Sequence, residues 1–129
     1  MQVYYFTRTG RSKKVAEELA ERYETKAQEI ADDVDWQGAM GYLKAGYEAF
    51  RKEARPARYN KPTADEELIL VFPVWAGTFP PAVRTFLERE GRAKVICMPT
   101  SIGSKLNDRD GFVKVIDLVG KTITTPESI

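Results

Sequence analysis

Val3-Tyr4-Tyr5-Phe6-Thr7-Arg8-Thr9-Gly10-Arg11-Ser12-Lys13-Lys14-Val15-Ala16 changes its hydrophobic period partway along. Residues 2–6 are short, apolar and rich in aromatic and β-branched types, the pattern of a buried strand. Residues 7–12 break that run with three hydroxyls and a glycine. From Ser12 the period is helical. Val15, Leu19 and Tyr23 fall four apart, with Ala16 and Ala20 beside them, while Lys13, Lys14, Glu17, Glu18, Glu21 and Arg22 fill the other face. A buried strand that feeds an amphipathic helix, here running to about Glu24, opens a βαβ unit.

The alternation continues outward from this stretch. Residues 27–30 offer a short second strand. Trp36, Met40, Leu43, Tyr47 and Phe50 recur at spacings of three or four and predict a helix over 35–54. Gly38, Gly41 and Gly46 each weaken it by about 1 kcal/mol against alanine, which implies close packing or a broken start. Pro56 and Pro62 mark a loop over 55–63. Residues 68–72 form a continuous apolar run, as in a strand buried on both faces. Pro80 and Pro81 suit the first turn of a third helix, Val83, Phe86 and Leu87 give it a buried face, and Gly91 ends it. Residues 95–98 read as a fourth strand, 107–111 as a charged loop or short helical turn, and 112–119 as a fifth strand. The expected fold is a single α/β domain over 1–129. Its five-stranded parallel sheet is doubly wound in the order 2-1-3-4-5, with helices on both faces. Ligands of such sheets sit beyond the carboxyl ends of the strands, at the switch between strands one and three.

Composition narrows the chemistry. The 129 residues are 43% hydrophobic and 30% charged, enough apolar material for one core. The histidine count is zero, which removes histidine bases, Ser-His-Asp and Cys-His catalysis, and the commonest transition-metal ligand. A lone cysteine, Cys97, forms no internal disulfide and reads as inert core. With no signal-like N-terminus and no long apolar run, the expected setting is the cytoplasm, without a membrane span. A net charge of +1 gives no pull toward nucleic acid. Asp32, Asp33 and Asp35 read as a solvated turn rather than a metal site. Any redox or group-transfer chemistry would fall to a bound cofactor.

Three turns fall at the predicted switch point. Thr7, Arg8, Thr9, Gly10, Arg11 and Ser12 lie between a strand and a helix N-terminus, where free N–H groups and the helix dipole favour a phosphate. The turn lacks a Walker lysine and a three-glycine fingerprint, so it suits one phosphate monoester. The arginines favour a dianion, although such residues also occur on solvated loop tips, and the whole turn also reads as a ligand-free connection. Pro73, Val74, Trp75, Ala76, Gly77 and Thr78 put an indole beyond the third strand. It would stack on a planar ring or pack on a neighbouring helix. Pro99, Thr100, Ser101, Ile102, Gly103 and Ser104 form a small polar turn able to line the other side of a flat ligand.

These residues together resemble the flavodoxin family. The resemblance rests on the first turn, on Leu68-Ile69-Leu70-Val71-Phe72-Pro73-Val74-Trp75-Ala76-Gly77-Thr78 with Pro80, Val83, Phe86 and Leu87 after it, on Gly41-Tyr42-Leu43-Lys44-Ala45-Gly46-Tyr47-Glu48-Ala49-Phe50, and more loosely on Thr100-Ser101-Ile102-Gly103. It implies noncovalent FMN and either electron transfer or flavin-dependent reduction, with a redox protein or a small molecule as acceptor. Thr7, Arg8, Thr9, Gly10, Arg11 and Ser12 would hold the phosphate. Pro73, Val74, Trp75, Ala76 and Gly77 would flank one side of the ring, with Ala76-Gly77 near the flavin N5, and Thr100, Ser101 and Gly103 would flank the other. The chain departs from the family in its near-neutral charge, in arginine at Arg11, and in a closing segment, residues 120–129, too poor in helix formers for the usual last helix. A missing helix would bare apolar strand surface, so a homodimer is expected. The competing reading is a flavodoxin-fold interaction module without flavin. A phosphatase would need a nucleophilic Cys or Asp in the first turn, and a receiver domain would need an acidic pocket there.

Overall fold

The computed structural model describes residues 1–32, 38–51 and 55–129. The strands are β1 (Gln2–Tyr5), β2 (Ala27–Glu29), β3 (Leu68–Pro73), β4 (Val95–Ser101), β5 (Lys114–Val115) and β6 (Leu118–Val119). The helices are α1 (Arg11–Arg22), α2 (Gly38–Phe50) and α3 (Pro81–Glu90). All strand pairs are parallel, in the order β2-β1-β3-β4-β5, with β6 also on β4. The doubly wound order expected from the sequence is the order observed.

The fifth position is divided. Lys114 and Val115 pair with Ile96 and Cys97, whereas Leu118 and Val119 pair with Thr100 and Ser101. Between the pieces, Asp117 takes both outer nitrogens of Arg109 at 3.0 and 2.8 Å.

The β3 run explains how one apolar stretch serves two cores. Successive strand side chains point to opposite faces. Leu68, Leu70 and Phe72 join Tyr4, Phe6 and Cys97 against Val83, Phe86 and Leu87 of α3 and Ala45 of α2. Ile69 and Val71 join Val3, Tyr5, Ile96 and Met98 against Val15, Ala16, Leu19 and Ala20 of α1. The predicted stripe of α1 is therefore buried, except that Tyr23 caps the helix and is half-exposed. Cys97 is fully buried, and burial pushes its thiol up to about 12, so it stays neutral and unreactive.

The second helix forms, but with a different face inward. Gly41, Ala45 and Glu48 are buried, whereas Leu43 and Tyr47 are 64% and 59% exposed. The carboxylate of Glu48 is held by Arg55 through two hydrogen bonds at 2.5 and 2.9 Å. The expected contributions of Asp33, Asp35 and Trp36 lie outside the described residues, as do those of the Met40 and Phe50 side chains.

Among the described residues no helix follows β6. Residues 120–129 run beside α1 instead. Ile123 and Ile129, with Ile116, pack on the α1 side of the sheet, and Arg22 donates to the carbonyls of Pro126 and Glu127. Leu106 and Phe112 cover the opposite face. Much of the strand surface on which the expected homodimer rests is thus covered within the chain, while Val119 stays 45% exposed.

Arginine–carboxylate forks fasten this C-terminal part. Arg92 grips Asp108 at 2.7 and 2.8 Å, and Arg109 grips Asp117. Hydrogen bonding to these guanidiniums holds both aspartate carboxyls below the ordinary carboxylate value. A group depressed on folding stabilises the fold above its unfolded value, and that contribution is lost as pH falls through its folded value. We expect stability to urea to decline as pH drops below about 4. The Asp108→Asn variant should show a shallower acid decline than the parent, and an identical pH profile would contradict this assignment.

Candidate functional site

The ends of β1, β3 and β4 open onto one cleft of about 320 Å³. Arg8, Thr9 and Arg11 line it from the first turn, Pro73, Val74 and Trp75 from the second, and residues 100–104 from the third. Parallel strands place all three turns at the same sheet edge. Nine of the residues singled out from the sequence meet here: Arg8, Thr9, Arg11, Pro73, Val74, Trp75, Thr100, Ser101 and Gly103. Ile102 and Ser104 join them. Both belong to the third turn, and the 67% exposure of Ile102, unusual for its type, was not readable from sequence.

The first turn is built around backbone donors. Gly10 adopts φ 96°, a left-handed conformation suited to glycine, and precedes α1 without a side-chain cap. Its N–H is taken by the Thr7 hydroxyl at 2.9 Å, which closes the loop. A helix start leaves its first N–H groups without intrahelical partners. The first turn of α1 carries no acidic residue. A Cβ placed on Gly10 would meet nothing within 4 Å, so the loop faces open space. This donor set fits a phosphate monoester. Ser12 lies deeper: it is 2% exposed, with its Oγ 3.0 Å from Thr100 Oγ1. Arg11 reaches the carbonyls of Ser101 and Gly120.

The second turn is a two-residue hairpin. Trp75 and Thr78 exchange N–H···O bonds of 2.9 Å in both directions. Ala76 and Gly77 between them adopt φ 50° and 78°, and a side chain at positive φ costs roughly 1 kcal/mol or more. Asn107 donates its N–H to the Gly77 carbonyl at 2.8 Å, and Arg84 donates to the Thr78 hydroxyl at 2.9 Å. Arg84 Nε is buried without a hydrogen-bond partner, and burial pushes this guanidinium below its ordinary value. Trp75 is only 7% exposed and meets Phe6 edge to face at 5.5 Å. It is a packed wall residue that presents little ring surface.

Thr100 joins the turns. Its hydroxyl stands between Ser12 Oγ and the Phe72 carbonyl, at 3.0 and 3.4 Å, and its own carbonyl accepts the Val74 N–H at 2.9 Å. Among the described residues no group of acids and cysteines is placed to hold a metal ion, and no helix is long and apolar enough to cross a membrane.

A doubly wound parallel sheet in this order, with three turns at its switch point, defines the flavodoxin-like class of fold. The flavodoxin family model matches residues 1–117, and the chain belongs to the flavodoxin family. Among solved structures, a flavoprotein in complex with FMN from Lactobacillus acidophilus is 18% identical, with a TM-score of 0.70. The match covers 92% of this chain and 91% of that one. A candidate flavoprotein from Bacteroides uniformis is 24% identical, with a TM-score of 0.73 over 94% of this chain and 90% of that one. These likenesses are of fold. No curated protein matches the sequence significantly.

The buried Ser12–Thr100 contact yields a sharp expectation. Thr100→Val keeps the shape but strands the Ser12 hydroxyl, and should cost about 1–3 kcal/mol in urea unfolding. Adding Ser12→Ala should return part of that loss, because no Ser12 hydroxyl is then left buried without its partner. Strictly additive losses would show that the two hydroxyls do not depend on each other.

Proposed function

We propose that this chain binds FMN noncovalently in the cleft and serves as a redox protein, in electron transfer or flavin-dependent reduction. The observation that carries this reading is the convergence of three turns on one cleft, beside an uncapped helix N-terminus. Family membership and the fold shared with a protein crystallised with FMN support it.

The residues divide the work by chemistry. Backbone N–H groups at the start of α1, with the Thr9 hydroxyl and the Arg8 cation, would hold the phosphate. Thr7 keeps the loop closed around it. The hairpin of Trp75, Ala76, Gly77 and Thr78 and the turn of Thr100, Ser101 and Gly103 would bound the two sides of the ring. Bound FMN supplies the redox chemistry by accepting and passing on electrons. The protein would orient it and exclude water from part of its surface, and a redox protein or a small-molecule acceptor would approach at the open side of the cleft, where Ile102 is exposed. The chain has no histidine for proton handling, and the reading requires none.

Purified protein should carry, or take up, a yellow chromophore that is released as FMN on denaturation. Thr9→Ala should weaken FMN about tenfold, one hydrogen bond to a charged acceptor, and leave riboflavin affinity unchanged. The check is quenching of flavin fluorescence on titration. A protein that quenches neither flavin would be read instead as a flavodoxin-fold interaction module. Equal losses for FMN and riboflavin in Thr9→Ala would remove the phosphate from this loop.

A further inference from the structure

Arg11 stands where three segments meet. It is the first residue of α1, yet its guanidinium is turned across the sheet edge. Nη2 donates to the Gly120 carbonyl and reaches the Ser101 carbonyl at 3.5 Å. The Gly120 N–H donates to that same Ser101 oxygen at 2.9 Å. A carbonyl has two lone pairs, so Ser101 can accept both donors. Gly120 has φ 131°, a conformation that lets its N–H and carbonyl serve these partners together. Arg11 thereby links the phosphate loop, the ring-side turn and the segment that runs on beside α1.

The partners decide what this side chain does. The guanidinium is held through Nη2 by backbone carbonyls 90 and 109 residues away, which directs it toward the end of β4 and Gly120. Ser101 and its neighbours form a wall of the cleft. Ile102, Gly103 and Ser104 are exposed, so this wall has little packing of its own beyond Ser101. The segment 120–129 is fastened further along by Arg22 and by the Thr125 hydroxyl on Glu18. Its only such fastening at the cleft end, among the described residues, is the Arg11–Gly120–Ser101 cluster. Both bonds leave the one nitrogen Nη2, and a lysine, whose nitrogen sits closer to the backbone on a shorter stem, keeps the charge but falls short of them.

We infer that Arg11 acts on the flavin as a positioning residue: it latches the ring-side turn and residues 120–129 to the phosphate loop, and is not a phosphate ligand. The inference rests on the flavin reading above. It separates two effects that the sequence merges, because a phosphate ligand matters only to FMN, whereas a latch on the ring-side wall matters equally to riboflavin.

The test compares FMN and riboflavin affinities of the parent, Arg11→Lys and Arg11→Gln, with amide hydrogen exchange measured on the flavin-free proteins. Both variants should weaken both flavins by the same factor, about tenfold for one lost hydrogen bond from a charged donor. The Gly120 amide and those just after it should exchange faster in both variants. A loss confined to FMN in Arg11→Gln and rescued in Arg11→Lys would overturn the inference and make Arg11 a charge on the phosphate. Unchanged exchange at Gly120 would also overturn it. If the parent binds neither flavin, the flavin reading fails, and the exchange data still decide whether the latch exists.

Discussion

The buried hydroxyl of Thr100 sets the spacing of the cleft. It stands between the first turn of α1 and the last carbonyls of β3, and the Thr100 backbone continues the pairing to Val74. A hydroxyl can donate once and accept twice, so one small side chain can satisfy two buried partners. The turn after β1, the hairpin at Trp75 and the turn at Ser101 are therefore tied to one another. This arrangement exists only because β1, β3 and β4 run parallel and release their following turns at one edge. Sheet direction, hydroxyl chemistry and binding geometry form one chain of dependence.

Much of this was legible in the sequence, and for identifiable reasons. The switch from a buried run to helical period after Gly10 is a local signal, and so is the apolar run at 68–72. Local signals placed β1, α1, β3 and α3, and with them the three turns. What escaped depended on specific side-chain partners, which a hydrophobic pattern does not reveal. Leu43 and Tyr47 have the spacing of a buried face, but the inward side of α2 belongs to Ala45 and to Glu48 paired with Arg55. The fifth strand is divided, and Asp117, at the break, is paired with Arg109. Residues 120–129 are poor in helix formers, and only the structure reveals that Ile123 and Ile129 serve the core without a helix.

The site followed the same rule. That the three turns meet at one end of the sheet was readable, because turn residues and strand ends are adjacent in sequence. The division of roles within it was not. Ser12 and Arg11 both lie in a phosphate-like loop, yet their partners stand 88 residues or more away on β4 and beyond. Trp75 was open to either a stacking or a packing role, and its contact with Phe6 makes it a packed wall. A family pattern names positions, while the side chain's own contacts decide its work.

If the three turns form one flavin site, a two-dimensional amide NMR titration of the protein with FMN will show saturable shifts concentrated at residues 9–13, 74–77 and 100–103, with little change at residues 61–66 at the opposite end of the strands. Shifts centred elsewhere, or none at any FMN concentration, would contradict that placement.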